Sequence, residues 1–230
     1  QGTEVNYNKL ARFLVNNQSV SSGETVFSGV QEIVPGHFMT WDVSGKTPCL
    51  KETIKYWDID AVEKRSIPFK EATQQVRELF LASVKRQLRS DVDLCATLSG
   101  GIDSSSIVCA IRHLDPEREI KTFSYIADQS DLDESKWIDI VNEFVGAQPN
   151  KVFAKEDLAL LQEMLDVQQE PVGSTSIYAQ FLVMRAIQEK GIKVSMDGQG
   201  ADEFLAGYHT YYPLFIIDQL KRFRLLSTLR

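Results

Sequence analysis

Apolar positions along this chain switch repeatedly between short clusters and stripes at helical spacing. The clusters are Leu94–Leu98, Thr122–Ile126, Asn150–Phe153 and Lys193–Met196. Segments so short, rich in β-branched and aromatic residues, predict buried strands. The stripes lie between and before them. Phe69, Ala72, Val76, Leu79, Phe80 and Val84 share one face of a long helix. Ile107, Val108, Ile111 and Leu114 do the same after the first cluster, and Trp137, Ile138, Val141 and Phe144 after the second. Residues 157–167 predict another helix, and a further one carries Tyr178, Phe181, Leu182 and Ile187; the loop 168–176 separates the two. Strands alternating with helices at this spacing predict an α/β fold, a parallel sheet with helices on both faces and right-handed crossovers.

The first 60 residues follow a different pattern. A helix is predicted over 6–16, with Leu10, Phe13 and Leu14 apolar. Residues 24–33 read as a strand, Val34-Pro35-Gly36 as a turn, 37–43 as a second strand, and a further short strand precedes Tyr56-Trp57-Asp58. Residues 60–67 are polar and end in Ile67-Pro68, as a linker would. The expected division is therefore a small β-rich part, 1–60, and the sheet domain, 61–230.

Two strings carry chemistry. Leu98-Ser99-Gly100-Gly101-Ile102-Asp103-Ser104-Ser105 joins the first predicted core strand to its helix. A glycine turn opening a helix gathers backbone N–H groups and the positive end of a helix dipole, which suits phosphate or pyrophosphate. Gly100 and Gly101 allow positive φ and close approach, and Ser99, Ser104 and Ser105 add hydroxyls. Asp103 facing an anion is explained if it holds Mg²⁺, which also binds phosphate oxygens. Ordinary helix capping is the competing reading, although the string is longer and more specific than capping requires.

The second string, Asp197-Gly198-Gln199-Gly200-Ala201-Asp202-Glu203, follows the last cluster, with Gly207-Tyr208 beyond it. Alone it reads equally as a glycine turn with caps for the next helix. Opposite the first loop, Asp202 could reach the same Mg²⁺, and Gly198 and Gly200 would let backbone lie against a nucleotide. Both strings follow the carboxyl ends of strands, where ligands bind in parallel sheets.

The first string resembles the pyrophosphate loop of the N-type ATP pyrophosphatases. The second resembles the Ser-Gly-Glu-Gly-Ala-Asp-Glu…Gly-Tyr motif of glutamine-hydrolysing asparagine synthetases and their relatives. The resemblance implies an adenine nucleotide α-hydrolase-like fold that uses ATP and Mg²⁺, with Asp103 and Asp202 as metal ligands and Asp103, Asp202 and Gln199 in the catalytic set. It implies nucleotide contacts from Ser99, Gly100, Gly101, Ser104 and Ser105, from Gly198 beside the AMP portion, and from main-chain groups near Leu98 and Tyr125. Its substrates would be ATP, a carboxylate such as aspartate, and ammonia from glutamine, in the cytoplasm, with a homodimer allowed. Thr25-x-Phe27-x-Gly29-Val30, Pro35-Gly36-His37 and Tyr56-Trp57-Asp58 resemble the end of a glutaminase domain, so residues 1–60 are expected to be its remnant. That domain uses an N-terminal cysteine; residue 1 is Gln1 and the first cysteine is Cys49. The expectation is thus a fragment that lacks this nucleophile and the family's downstream lysine. Two positions depart from the motif. Gln199 stands where the family has Glu, and Asp197 where it has Ser. Glu170 or Glu203 could supply a replacement base, or the carboxylate substrate could differ. A β-lactam synthetase-like cyclase and a non-catalytic nucleotide-binding module are the alternatives.

Several features point elsewhere or nowhere. Gly45-Lys46-Thr47 lacks the upstream glycine of a phosphate loop and is expected to be a hairpin turn. His37 beside Pro-Gly is expected to be structural. Asp131, Asp133 and Glu134 are expected to compensate a helix dipole, ahead of a metal or substrate role. The net charge is −7, which argues against nucleic acid or an anionic membrane as the main partner. No apolar run approaches the ~18 residues of a membrane span. The cysteines, Cys49, Cys95 and Cys109, are unpaired in spacing, and the last two read as reduced apolar fillers.

Overall fold

The computed structural model describes residues 4–16, 23–59, 65–127, 133–153 and 156–221. The chain divides into two compact units, one comprising 1–71 and 158–175, the other 72–157 and 176–230. The division differs from a single cut after residue 60, because the segment 158–175 groups with the amino-terminal part.

In the first unit, α1 (Tyr7–Asn16) precedes an antiparallel pair, β1 (His37–Asp42) and β2 (Cys49–Lys55). The ladder runs from His37 opposite Lys55 to Asp42 opposite Cys49, with an irregularity between Thr40 and Trp41. Gly45-Lys46-Thr47 lies in the connection between these strands, as expected of a turn. The ring of His37 bonds the Pro35 carbonyl at 3.0 Å, a local structural contact. The strand expected over 24–33 does not form. Thr25 is buried; its hydroxyl lies 3.1 Å from the Phe27 carbonyl and 2.9 Å from that of Val30, and accepts the Phe27 N–H. One side chain thus satisfies backbone groups that a ladder would otherwise pair, and only the isolated bridges Glu24–Gln31 and Val5–Phe27 remain. The helix α5 (Leu158–Gln168) belongs to this unit.

The second unit is the expected parallel sheet. Its strands are β3 (Leu94–Thr97), β4 (Lys121–Ile126), β5 (Gln148–Phe153) and β6 (Val194–Met196), in the order β5-β4-β3-β6. Helices α2 (Phe69–Gln87), α3 (Ile102–Leu114), α4 (Ser135–Val145) and α6 (Ser176–Glu189) connect or flank them. Alternate strand residues face opposite sides. Ala96, Ile126 and Met196 pack with Val84 of α2, Val108 and Ile111 of α3, and Ile138 of α4. Cys95 and Phe123 pack with Val183 and Ile187 of α6 on the other face. Both faces of β3 and β4 are therefore covered, whereas β5, at the sheet edge, is largely exposed.

The expected stripe of α2 is buried only near its carboxyl end. Val84 is buried, whereas Phe69, Val76 and Leu79 are exposed. In α4, Ile138 is buried and Val141 packs on the core, but Trp137 and Phe144 are exposed. Two polar links bind α4 to its neighbours. Thr122 on β4 donates to Asn142 at 2.6 Å, and the Nε of Arg112 on α3 donates to the Val145 carbonyl at 2.6 Å. Asp133, just ahead of α4, accepts the Ser135 N–H at 2.8 Å, and its carboxyl is held below its ordinary range by Ser135; the first turn of α4 itself carries no acid. Asp131 and residues 60–64 of the expected linker lie outside the described residues. Two short helices, α7 (Ala201–Leu205) and α8 (Tyr211–Lys221), follow β6.

Candidate nucleotide site

The strand order reverses around β3. The chain passes outward from β3 to β4 and β5, then returns to the far side of β3 as β6. Loops leaving β3 and β6 therefore lie side by side at the carboxyl ends of the strands, where parallel sheets bind ligands. Both sequence strings are these loops.

The first loop is built by its own residues. The Leu98 N–H continues the ladder to the Phe123 carbonyl at 2.9 Å, and the Leu98 side chain is buried. Gly100 then takes φ +84° and lies so close to α4 that a Cβ would stand 3.0 Å from the Trp137 Cβ and 3.3 Å from the Glu134 carbonyl. Gly101 does not share this requirement: at φ −70° and ψ 165° it is ordinary extended backbone. The expectation of positive φ is met by one glycine of the pair. Gly101 begins α3 without a side-chain cap, so the first-turn N–H groups keep the anion-binding capacity of a helix start. The serines divide the remaining work. Ser104 is buried; its hydroxyl accepts the Ser99 N–H at 3.1 Å, lies 3.0 Å from the Ser99 hydroxyl and donates to the Gly101 carbonyl. It stitches the loop to the helix. Ser105 Oγ is buried, has no partner among the described residues and stands outside the cavity lining.

The second loop meets the first directly. A Cβ on Gly198 would come within 3.1 Å of the Ser104 backbone nitrogen and 3.4 Å of the Asp103 Cβ. Gly198 lines the cavity and also leaves room for the first turn of α3. Gly200, at φ +90°, turns the chain into α7. The Asp197 carboxylate accepts the Thr97 hydroxyl at 3.0 Å and the Gln199 N–H at 2.9 Å.

Between the loops lies a cavity of about 350 Å³. One wall is polar, with Ser99, Gly101, Asp103 and Ser104. The apolar lining of the cavity comes from Phe123 and Tyr125 of β4 and from Ala179, Val183 and Met184 of α6. Asp197, Gly198, Gln199 and Asp202 also line it, and Glu134 stands at the start of α4. Of the sequence-derived candidates, Leu98, Ser99, Gly101, Asp103, Ser104, Tyr125, Gly198, Gln199 and Asp202 line this space; Gly100 shapes it from behind. Sequence reasoning missed Thr97, Asp197 as a bonded group, Glu134 as a wall, and the α6 residues. The α6 residues carry no signal in a string, because they look like core.

Asp103 and Asp202 both line the cavity and enter no hydrogen bond or ion pair among the described residues, although the Asp202 carboxylate packs against Gly207 and lies near Tyr208. Two unengaged carboxylates beside a helix start fit a hard divalent cation whose other ligands are phosphate oxygens and water. Among the described residues no cluster of three or more His, Cys, Asp or Glu could hold a metal alone. The two other acids named as candidates sit elsewhere. Glu203 accepts the Tyr208 hydroxyl at 3.0 Å, which pushes that phenol's pKa up, and Glu170 lines a small cavity of the first unit with Lys9, Glu24 and Glu32.

The asparagine synthase family profile matches residues 75–229, which contain the whole sheet and both loops. The chain belongs to the asparagine synthase family. It is 31% identical over 209 residues to asparagine synthetase [glutamine-hydrolyzing] 3 of Bacillus subtilis, covering 84% of this chain and 33% of that protein. It is 28% identical over 206 residues to Amidase chry2 of Gibberella zeae, covering 81% and 30%. It is also 30% identical over 217 residues to a putative asparagine synthetase [glutamine-hydrolyzing] of Mycobacterium tuberculosis, covering 91% and 32%. The chain thus spans about a third of the length of these curated relatives. Among solved structures, an NH3-dependent NAD synthetase from Campylobacter jejuni matches with a TM-score of 0.37 and 18% identity over 64% of this chain and 63% of its own, too loosely to bear on the assignment. Among the described residues no helix is long and apolar enough to cross a membrane.

Proposed function

We propose that the protein is an ATP-dependent, amide-forming ligase that activates a carboxylate by adenylation. The observation that carries this reading is the meeting of the two loops at one cavity, whose lining combines an uncapped helix start, apolar groups and the carboxylates of Asp103 and Asp202.

A carboxylate is a poor electrophile because its leaving group would be hydroxide or oxide. Attack of a carboxylate oxygen on the α-phosphorus of ATP expels pyrophosphate and yields an acyl-adenylate. Ammonia or an amine then attacks the acyl carbon, AMP leaves with the bonding pair, and the amine loses a proton. The chain's contribution is positioning and charge neutralisation. The amides at the start of α3 and the Ser99 hydroxyl hold the departing pyrophosphate. The wall of Tyr125, Ala179, Val183 and Met184 takes the adenine ring and excludes water beside it. Asp103 and Asp202 would hold Mg²⁺, which would offset the phosphate charge. Residues 1–60 fit the end of a glutaminase-like domain, which would supply ammonia from glutamine in the longer protein.

The acceptor is less constrained than the activation step. Gln199 lines the cavity where the resembled motif has a carboxylate, and a neutral amide cannot take up a proton near neutral pH. A relative of similar distance bears the name amidase. The neutral Gln199 favours a carboxylate other than free aspartate. The test is a panel of carboxylates assayed for ATP- and ammonia-dependent pyrophosphate release by the full-length protein and by its Gln199→Glu, Asp103→Asn and Asp202→Asn variants. The expected outcome is weak turnover of free aspartate, improved by Gln199→Glu, and loss of Mg²⁺-dependent release in both Asn variants. Efficient aspartate-selective turnover that Gln199→Glu does not improve would overturn the acceptor assignment. Near wild-type release by either Asn variant would overturn the metal assignment.

A further inference from the structure

Asp197 enters none of the roles above, yet it is the residue at which the two loops are joined. The ladder between β3 and β6 pairs Leu94 with Val194, Cys95 with Ser195 and Ala96 with Met196. The next pair in register is Thr97 and Asp197. There the ladder gives way to a side-chain link: the Thr97 hydroxyl donates to Asp197 Oδ2 at 3.0 Å. The other oxygen, Oδ1, accepts the Gln199 N–H at 2.9 Å and closes a tight turn over 197–199. One carboxylate therefore fixes the end of the first strand and the backbone of the second loop together. Gly198, held between its two bonded neighbours, is the residue that presses on Ser104 and Asp103 at the start of α3.

We propose that Asp197 is a positioning residue that acts through its two hydrogen bonds, setting the gap between the loops and thereby nucleotide affinity. The proposal rests on the reading of the cavity as an ATP site and goes beyond it, because it locates what holds the site's two halves in register. A role as metal ligand or proton acceptor would use the negative charge. A positioning role uses acceptor atoms only, and the two are separable by substitution. An asparagine at 197 keeps an amide oxygen for the Gln199 N–H, and its NH₂ can donate to the Thr97 hydroxyl, which is able to accept. An alanine keeps neither bond.

Two readouts on the full-length protein decide the matter. The first does not involve ATP. Hydrogen exchange at the Gln199 amide should accelerate in Asp197→Ala and stay near wild type in Asp197→Asn. The second is ATP affinity and steady-state kinetics. Loss of the linked bonds should weaken ATP binding about tenfold in Asp197→Ala, appearing mainly in the KM for ATP rather than in kcat, with Asp197→Asn within about threefold of wild type. Thr97→Val should shift ATP affinity in the same direction and Thr97→Ser should restore it. The double variant Thr97→Val with Asp197→Ala should lose less than the sum of the two single losses, since the pair shares one interaction and only the longer 3.4 Å contact of the Thr97 hydroxyl with the Met196 carbonyl is separate from it. If Asp197→Ala fails to fold, the Thr97→Val and Thr97→Ser pair carries the test. Asp197→Asn as damaging as Asp197→Ala would overturn the proposal in favour of a charge role. So would unchanged exchange and affinity in Asp197→Ala, or additive loss in the double variant. A wild type that binds no ATP but shows the predicted exchange pattern would instead overturn the ATP reading and leave the link standing.

Discussion

Gly100 and Gly101 are adjacent and do different things. Gly100 is in the left-handed region, with α4 within 3.0 Å of where its Cβ would be. Gly101 is extended, and a Cβ there would meet only Ser99 Oγ, at 3.4 Å. Gly100→Ala should therefore cost about 1–3 kcal/mol of stability, whereas Gly101→Ala should cost under about 1 kcal/mol; urea unfolding of the two variants checks this. Equal losses would mean that the loop, rather than its φ, sets the requirement. This difference was not legible in the sequence, where both residues serve the same string. The string itself was legible, because a strand end, a glycine turn and a helix start are contiguous. The Thr97–Asp197 bond was not, since its partners are a hundred positions apart and meet only through strand pairing. The same holds for Ser104 and Ser105. Two neighbouring hydroxyls look alike in sequence, yet one is bonded three ways within the loop and the other is buried without a partner.

At the level of elements, periodicity located the sheet and its helices correctly but overstated what they bury. The stripe of α4 contains Ile138, fully buried, and Phe144, 78% exposed. Ile138→Ala should destabilise by about 2–5 kcal/mol through the cavity it leaves, while Phe144→Ala should change stability by no more than about 0.5 kcal/mol. Thermal or urea unfolding of the two variants measures the contrast, and similar losses would show that Phe144 packs on something in solution. The same overstatement appears in α2, whose amino-terminal stripe is exposed while Val84 is buried. An apolar stripe says that a face wants a partner; which part of the face meets one depends on where the sheet lies beneath it. The strand expected over 24–33 failed for a different reason. Its apolar residues fit a strand, but the Thr25 hydroxyl supplied a local alternative to the ladder.

Across the whole molecule the three cysteines report on the two units separately. Cys49 is exposed in the first unit, Cys95 is buried in the sheet, and Cys109 is partly buried on α3. Burial pushes the Cys95 and Cys109 thiols up, so each holds less thiolate near neutral pH than a free cysteine does. A thiol-specific disulfide reagent at neutral pH should therefore titrate Cys49 quickly and Cys95 only as urea opens the sheet unit. Rapid labelling of Cys95 in native buffer would show that the sheet breathes far more than its packing implies. The alternation of strands and helices made the sheet unit legible from sequence, whereas the grouping of 158–175 with the amino-terminal part had no signature, because α5 carries an ordinary helical pattern. The cavity has a last consequence at this scale. Phe123 and Val183 line it and also belong to the buried cluster behind β3 and β4. Ligand preference and thermal tolerance are therefore written in the same side chains. Substitutions that enlarge or shrink this wall of the cavity therefore have to repack the interior as well. Gln199 also lines the cavity but is exposed, so a substitution there changes the lining without disturbing the core.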